Sequence, residues 1–184
     1  MSEEEFFAGI TGHNSDLRLA VEALRSTGHG FCLVGGLAVN HYAAEPMVTL
    51  DADFAVVADA GVADALRTRG FAVEVFPPSI NARLPGSRLR LQVTVNSRYA
   101  GFPARAVPGR LFGVEVPVAA LADLVQGKIW AFQDTTRRAS KRAKDRADMI
   151  RLCEAQPAAF ACVPPGLIEE IDQLRRQSAG QDAS

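Results

Sequence analysis

The chain has 184 residues, of which 48% are hydrophobic and 22% charged, and its formal net charge is -1. That composition is ordinary for a globular domain and excludes a disordered, collagen-like or disulfide-scaffold chain. A domain of this size buries roughly 70% of the surface its unfolded chain exposes. Near-neutral charge gives no global pull towards nucleic acid or membrane, so either partner would need a local patch.

The first helical spacing runs from Ser15 to Thr27, with Leu17, Val21 and Leu24 on one side, Asn14 or Ser15 as cap, and Gly28 and Gly30 beyond its end. Phe31 to Val34 is a short apolar strand that meets Gly35-Gly36 at once, and Leu37 to Ala44 reads as a short helix. Leu50 to Val57 is a second strand in which Asp51 and Asp53 alternate with Leu50, Ala52 and Phe54. A helix over Val62 to Arg69 and a strand over Phe71 to Phe76 follow. The prolines and glycine between Pro77 and Ser87 predict a loop or flap. Leu89 to Val95 alternates at period two, and Val114 to Val116 is a further strand beyond a stretch broken by Gly and Pro. From Leu121 the pattern turns helical, through Phe132, then from Thr136 to Glu154, then from Leu167 to Gln177. The order implies an α+β or α/β sheet domain over residues 1–118, a helical section over 119–178 packed on it, and a frayed tail over 179–184.

Three cysteines, Cys32, Cys153 and Cys162, are widely spaced and form no CxxC or Cys/His cluster, so neither a zinc site nor a disulfide framework is indicated. The acidic start, Met1 to Glu5, is unlike a signal peptide, and no apolar run reaches the roughly 18 residues of a membrane span. A reducing cytoplasm is the expected compartment.

The chemistry concentrates between Val34 and Val57. Gly35-Gly36 after a strand lets a ligand come close to the backbone, and the helix that follows presents free N–H groups to an anion. Asp51 and Asp53 lie two residues apart in a strand, so both carboxylates project from one face. Like charges that close repel unless a cation neutralises them, and Mg²⁺ commonly takes one or two protein carboxylates plus substrate phosphates. Read separately, a Gly-Gly turn and an Asp-x-Asp strand each also fit a plain loop and a solvent-facing edge.

Gly35, Gly36, Ala38, Thr49, Asp51 and Asp53 together resemble the pattern of the nucleotidyltransferase superfamily with the polymerase-β-like palm, nearest to small AbiEii-like toxin nucleotidyltransferases. Leu121 to Lys128 and Lys144 to Asp148 resemble later helices of that family. The resemblance implies a nucleotidyltransferase-like mixed sheet flanked by helices, with a C-terminal helical section. It implies transfer of a nucleoside monophosphate from an NTP to a hydroxyl of RNA, protein or a small molecule, in a toxin–antitoxin setting. Gly35, Gly36 and Thr49 would hold the nucleotide, Asp51 and Asp53 would carry Mg²⁺, Lys128 would meet triphosphate charge, and Lys144 and Asp145 would lie near the nucleotide or pack against the palm.

Two positions depart from the family pattern. Its third carboxylate on a later strand has no counterpart in Leu89 to Val95, where Gln92 takes the matching catalytic place as an amide that can orient an acceptor or ligate weakly but cannot act as a base. Glu74, one strand earlier, is a candidate substitute. Met47 stands where many relatives carry an arginine. These departures imply an alternative: a nucleotide-binding module of weak or absent activity. His41 reads as a packing or solvent-facing helix residue rather than a nucleotide contact. The cation-rich run Arg137 to Arg146 reads either as a phosphate-binding stripe for nucleic acid or as a solvated helix face laced with ion pairs.

Overall fold

The computed structural model describes residues 15–181. Its helices are α1 (Ser15–Ser26), α2 (Gly35–Tyr42), α3 (Val62–Thr68), α4 (Phe102–Arg105), α5 (Leu121–Gln133), α6 (Ala139–Ala155) and α7 (Pro165–Gln181). Its strands are β1 (Phe31–Val34), β2 (Asp51–Val56), β3 (Ala72–Phe76), β4 (Ser79–Arg83), β5 (Arg90–Thr94), β6 (Val107–Leu111) and β7 (Val114–Val118). The seven strands form one mixed sheet in the order β3-β4-β5-β2-β1-β7-β6. The central strands β1 and β2 run antiparallel, while β2–β5 and β1–β7 are parallel. This is the α+β mixed sheet with flanking helices that the family resemblance implies.

Ala52, Phe54 and Val56 on β2, Leu91 and Val93 on β5, and Ile80 and Ala82 on β4 are buried on one side of the sheet. That face is covered by α1 and α3, which pack on each other and reach β7 and β3. The opposite parity of β2 carries Asp51 and Asp53, and over this face lie α5 and α6, packed together and against α2. One continuous core runs from Leu17 in α1 to Ile171 in α7.

Several elements differ from the sequence-based expectation, among them α2, which spans Gly35–Tyr42 rather than Leu37 to Ala44, and the short α4, which is not expected from the sequence. Residues expected to form a loop after Pro77 instead make β4, which completes a hairpin with β3 and pairs with β5. Ile80 and Ala82 supply its buried parity, but five residues framed by Pro and Gly carry too short a pattern to announce a strand. Strand β6 contains Pro108 and Gly109, poor strand formers tolerated because it is the sheet edge. The last helix begins at Pro165, a favoured first-turn residue, and extends through Gln181, beyond the expected end at Gln177. Asn14, one of the two candidate caps of α1, and residues 182–184 lie outside the described residues.

Candidate active site

Helix α2 starts directly at Gly35, the residue after β1. Gly35 has φ +69, the left-handed region, and a Cβ placed there would land on the Asp53 carboxylate. Only glycine lets β2 bring its acid against the start of this helix. The capping residue, Val34, offers no side chain to the first-turn N–H groups, which leaves them open to an anion. At Gly36 a Cβ would lie 3.4 Å from Lys144 Nζ and 3.5 Å from Thr49 Oγ1, so these two groups flank the missing side chain. Thr49 Oγ1 also accepts from the Asp51 N–H at 3.3 Å. Gly35, Gly36, Thr49, Asp53 and Lys144 are thus brought together.

Asp51 and Asp53 share the exposed parity of β2, but their surroundings differ. Asp51 forms an ion pair with Arg90 at 2.7 Å. Asp53 has no ion pair or hydrogen bond to its carboxylate among the described residues. Burial first, and the neighbouring Asp51 charge second, push its pKa up to about 6, against the opposing pull of Lys128, Lys144 and Lys141. Two oxygen-donor side chains on one face, one short of a counter-charge, suit a divalent cation completed by phosphate oxygens. No group of three or more His, Cys, Asp or Glu side chains is placed to hold a metal among the described residues. Such an ion would therefore rest on these two acids and its substrate.

Gln92 is the register partner of Asp53 on the neighbouring strand β5. The same row continues to Asn81 on β4 and Glu74 on β3. Glu74 thus stands three strands from Asp53, about 14 Å across the sheet at the usual strand spacing, too far to share an ion with it. The expectation that Glu74 replaces the third acid is corrected by this register.

A cavity of about 220 Å³ opens beside Asp53 and Gln92, roofed by Tyr99, Phe102, Leu124, Lys128, Arg137 and Asp145. The Lys128 ammonium is buried and committed to Asp145 at 3.1 Å and Asp148 at 2.6 Å. Burial works against its charge, but the two carboxylates outweigh that and hold its pKa above the ordinary lysine value. Asp145 also accepts from Arg137 at 3.1 Å, and Asp148 from Lys144 at 3.1 Å. Lys128 and Asp145 line the cavity as members of an ion-pair network, with Lys144 at its Gly36 end.

That network accounts for much of the cation-rich run. Arg137 and Lys144 are paired within it, Arg142 donates to the Phe132 carbonyl at 2.7 Å, and Arg146 pairs with Glu170. Trp130 packs with Tyr99 and Phe102 in an aromatic cluster on the cavity wall. His41 stacks edge-on with Tyr42 and lies against Gly109 of β6, a packing role. Tyr99, Phe102 and Arg151 carry no local signal of a site. The first two come from an irregular stretch. Arg151 acts at long range, donating to Asn40 Oδ1 at 3.2 Å and the Glu45 carbonyl at 2.6 Å, while Asn40 clasps the backbone of Met47. These bonds fix the loop between the glycines and the aspartates.

Neither the family models nor the curated proteins give a match to this sequence. Solved structures do. The antibiotic-resistance factor ANT(2'')-Ia superposes with a TM-score of 0.56 at 12% identity, covering 91% of this chain and 93% of that one. Its complex with adenylyl-2''-tobramycin gives 0.55 at 13% identity, with coverage of 90% and 95%. The lincomycin-bound lincosamide adenylyltransferase LnuA gives 0.52 at 12% identity, covering 76% of this chain and 98% of that one. The chain has a nucleotidyltransferase fold. At this identity the likeness concerns architecture, and within that architecture the paired aspartates stand beside the glycine-started helix. Among the described residues no helix is long and apolar enough to cross a membrane.

Proposed function

We propose that the protein is a Mg²⁺-dependent nucleotidyltransferase that moves a nucleoside monophosphate from an NTP to a hydroxyl acceptor. The observation that carries this is the placement of Asp53, with Asp51 beside it, against the positive-φ glycine that opens α2. The fold it shares with ANT(2'')-Ia and LnuA supports the same reading. The glycine-turn and Thr49-x-Asp51-x-Asp53 spacing favours the small AbiEii-like group. The buried thiol of Cys32, which forms no disulfide among the described residues, suits a reducing cytoplasm.

The first-turn N–H groups of α2, with Lys144 and Thr49 flanking Gly36, hold the triphosphate oxygens. Asp51 and Asp53 hold Mg²⁺, which when bound stabilises the charge that gathers on the phosphate oxygens during transfer. The cavity beside Asp53, walled by Tyr99 and Phe102, takes the nucleoside. The acceptor oxygen forms a bond to the α-phosphorus, the α–β anhydride bond breaks, and pyrophosphate leaves with the electron pair. The hydroxyl proton passes to water, because Gln92 has no basic atom to receive it.

Gln92 in register with Asp53 favours a second reading, in which nucleotide binds but transfer is slow or absent. Calorimetry with Mg²⁺ and each of the four NTPs, paired with transfer of α-labelled nucleotide, separates the two. We expect metal-dependent binding in the wild type and its loss in Asp51→Ala/Asp53→Ala. Label transfer to RNA, protein or a small alcohol supports the enzyme. Binding without transfer, rescued by Gln92→Glu, supports the module, and no metal-dependent binding rejects both.

A further inference from the structure

The face of the sheet that carries Asp51 and Asp53 does not end at the covered strands. It continues uncovered across β5, β4 and β3 in three rows set by register. Asp51 faces Arg90, with Arg83 and Ala72 paired beyond it. Asp53 leads to Gln92, Asn81 and Glu74, and Ala55 leads to Thr94, Ser79 and Phe76. A groove of about 560 Å³ lies on this surface, with Lys141 of α6 on its wall, and Gln92 lines both this groove and the cavity beside Asp53.

The chemistry of the groove is directional. Arg83 and Lys141 have no ion pair among the described residues, unlike most of the cations of α6, and Arg90 is paired only with Asp51. The acid that opposes them away from β2 is Glu74. Phe76, on the same parity as Glu74, exposes 58% of its surface. Unpaired cations spaced along a groove suit successive phosphates, and an exposed aromatic ring on the same surface suits a stacked base. A polycationic acceptor would instead meet like charge.

We propose that this open face is the acceptor site, and that the acceptor is a single-stranded RNA whose terminal hydroxyl is delivered past Gln92 to the α-phosphate. The strand's phosphates lie on Arg83 and Lys141, and a base stacks on Phe76. Its role as acceptor rests on the transfer reaction proposed above, whereas the binding site itself does not.

The test uses a fluorescein-labelled, mixed-sequence RNA oligonucleotide with a free 3′ hydroxyl, read by anisotropy against salt. Arg83→Gln/Lys141→Gln removes two exposed cations, and we expect about tenfold weaker binding and a salt slope shallower by roughly 1.4. Phe76→Ala should weaken binding about tenfold with the slope unchanged. All three side chains are exposed and thermal denaturation should match the wild type, and so should Mg-NTP calorimetry of the single variants Arg83→Gln and Phe76→Ala, which leave the charges around Asp53 in place. RNA binding indifferent to these substitutions overturns the proposal. So does label transfer to a peptide hydroxyl or to tobramycin in preference to the RNA. Groove-dependent RNA binding by a protein that binds no Mg-NTP leaves the site standing and sinks the transferase reading instead.

Discussion

Asp53 is held where a carboxylate is least comfortable, half-buried beside a second acid and without a bonded partner among the described residues. Its pKa near 6, against an ordinary 3.8, means that the fold prefers the protonated acid. The sign follows. Below about pH 4 the group is protonated in both the folded and unfolded chain and costs nothing. As pH rises from 4 to 6 the unfolded chain ionises while the folded protein keeps the proton, and stability falls by up to about 3 kcal/mol, levelling off above 6 where both are charged. Asp53→Asn should therefore stabilise the metal-free protein at pH 7 by about 1–3 kcal/mol and flatten this part of its stability profile between pH 4 and 6. Urea denaturation across that range measures it, and the same variant should lose metal-dependent nucleotide binding. A destabilised variant would show that Asp53 has a structural partner instead. The pairing of Asp51 with Asp53 was legible in sequence because side chains two apart on a strand share a face. That Arg90 neutralises Asp51, and that Glu74 is out of range, was not. Both depend on strand order and register, which no local pattern encodes.

At the scale of elements, the junction of β1 and α2 decides whether the site exists. Gly35→Ala would put a methyl group on the Asp53 carboxylate and force a left-handed alanine. The two penalties together should cost about 2–4 kcal/mol. Gly36→Ala meets its neighbours at 3.4 Å or more, ordinary contact, so the fold should keep nearly all its stability. Its methyl group would sit between Lys144 and Thr49, where the triphosphate is proposed to lie, and nucleotide affinity should drop. Denaturation and calorimetry on the two variants give opposite patterns, one chiefly of stability and the other chiefly of binding. Equal stability losses in both would mean that the turn serves packing alone. The order of strand, glycine pair and helix at this junction was readable because an apolar run, a glycine pair and a helical spacing follow one another without interruption, but the helix begins at Gly35 and ends at Tyr42, two residues before the expected Leu37 and Ala44 at each end. Strands β4 and β6 were not, since backbone pairing to a neighbour, rather than five residues of weak propensity, holds them in place.

Across the molecule, the helical section is tied to the sheet by charge as well as by the shared core. Lys128 on α5 meets Asp145 and Asp148 on α6. Asp148 in turn takes Lys144, which reaches Gly36, and Arg151, which reaches Asn40 and the Glu45 carbonyl. The glycine-started end of α2, where the nucleotide is proposed to lie, is thus gripped from α6, and Lys128 is the buried cation at the centre of the grip. Lys128→Met keeps most of the unbranched apolar stem but leaves two buried carboxylates to Arg137, Lys144 and Arg151. Loss of one partner from a buried pair costs about 3–5 kcal/mol, and the remaining cations place this case near the lower figure. Burial pushes the Asp148 pKa up, yet Lys128 and Lys144 outweigh it and hold the carboxylate below its ordinary value. Its stabilising contribution is therefore present above the unfolded value near 4 and is lost as pH falls through the folded value, opposite in sign to Asp53. In Lys128→Met that acid-side loss should shrink, because the first-ranked cation that depresses Asp148 is gone. Thermal melts of wild type and variant between pH 3 and 7 should converge towards the acid end, and a constant offset across that range would mean that Lys128 contributes packing rather than charge.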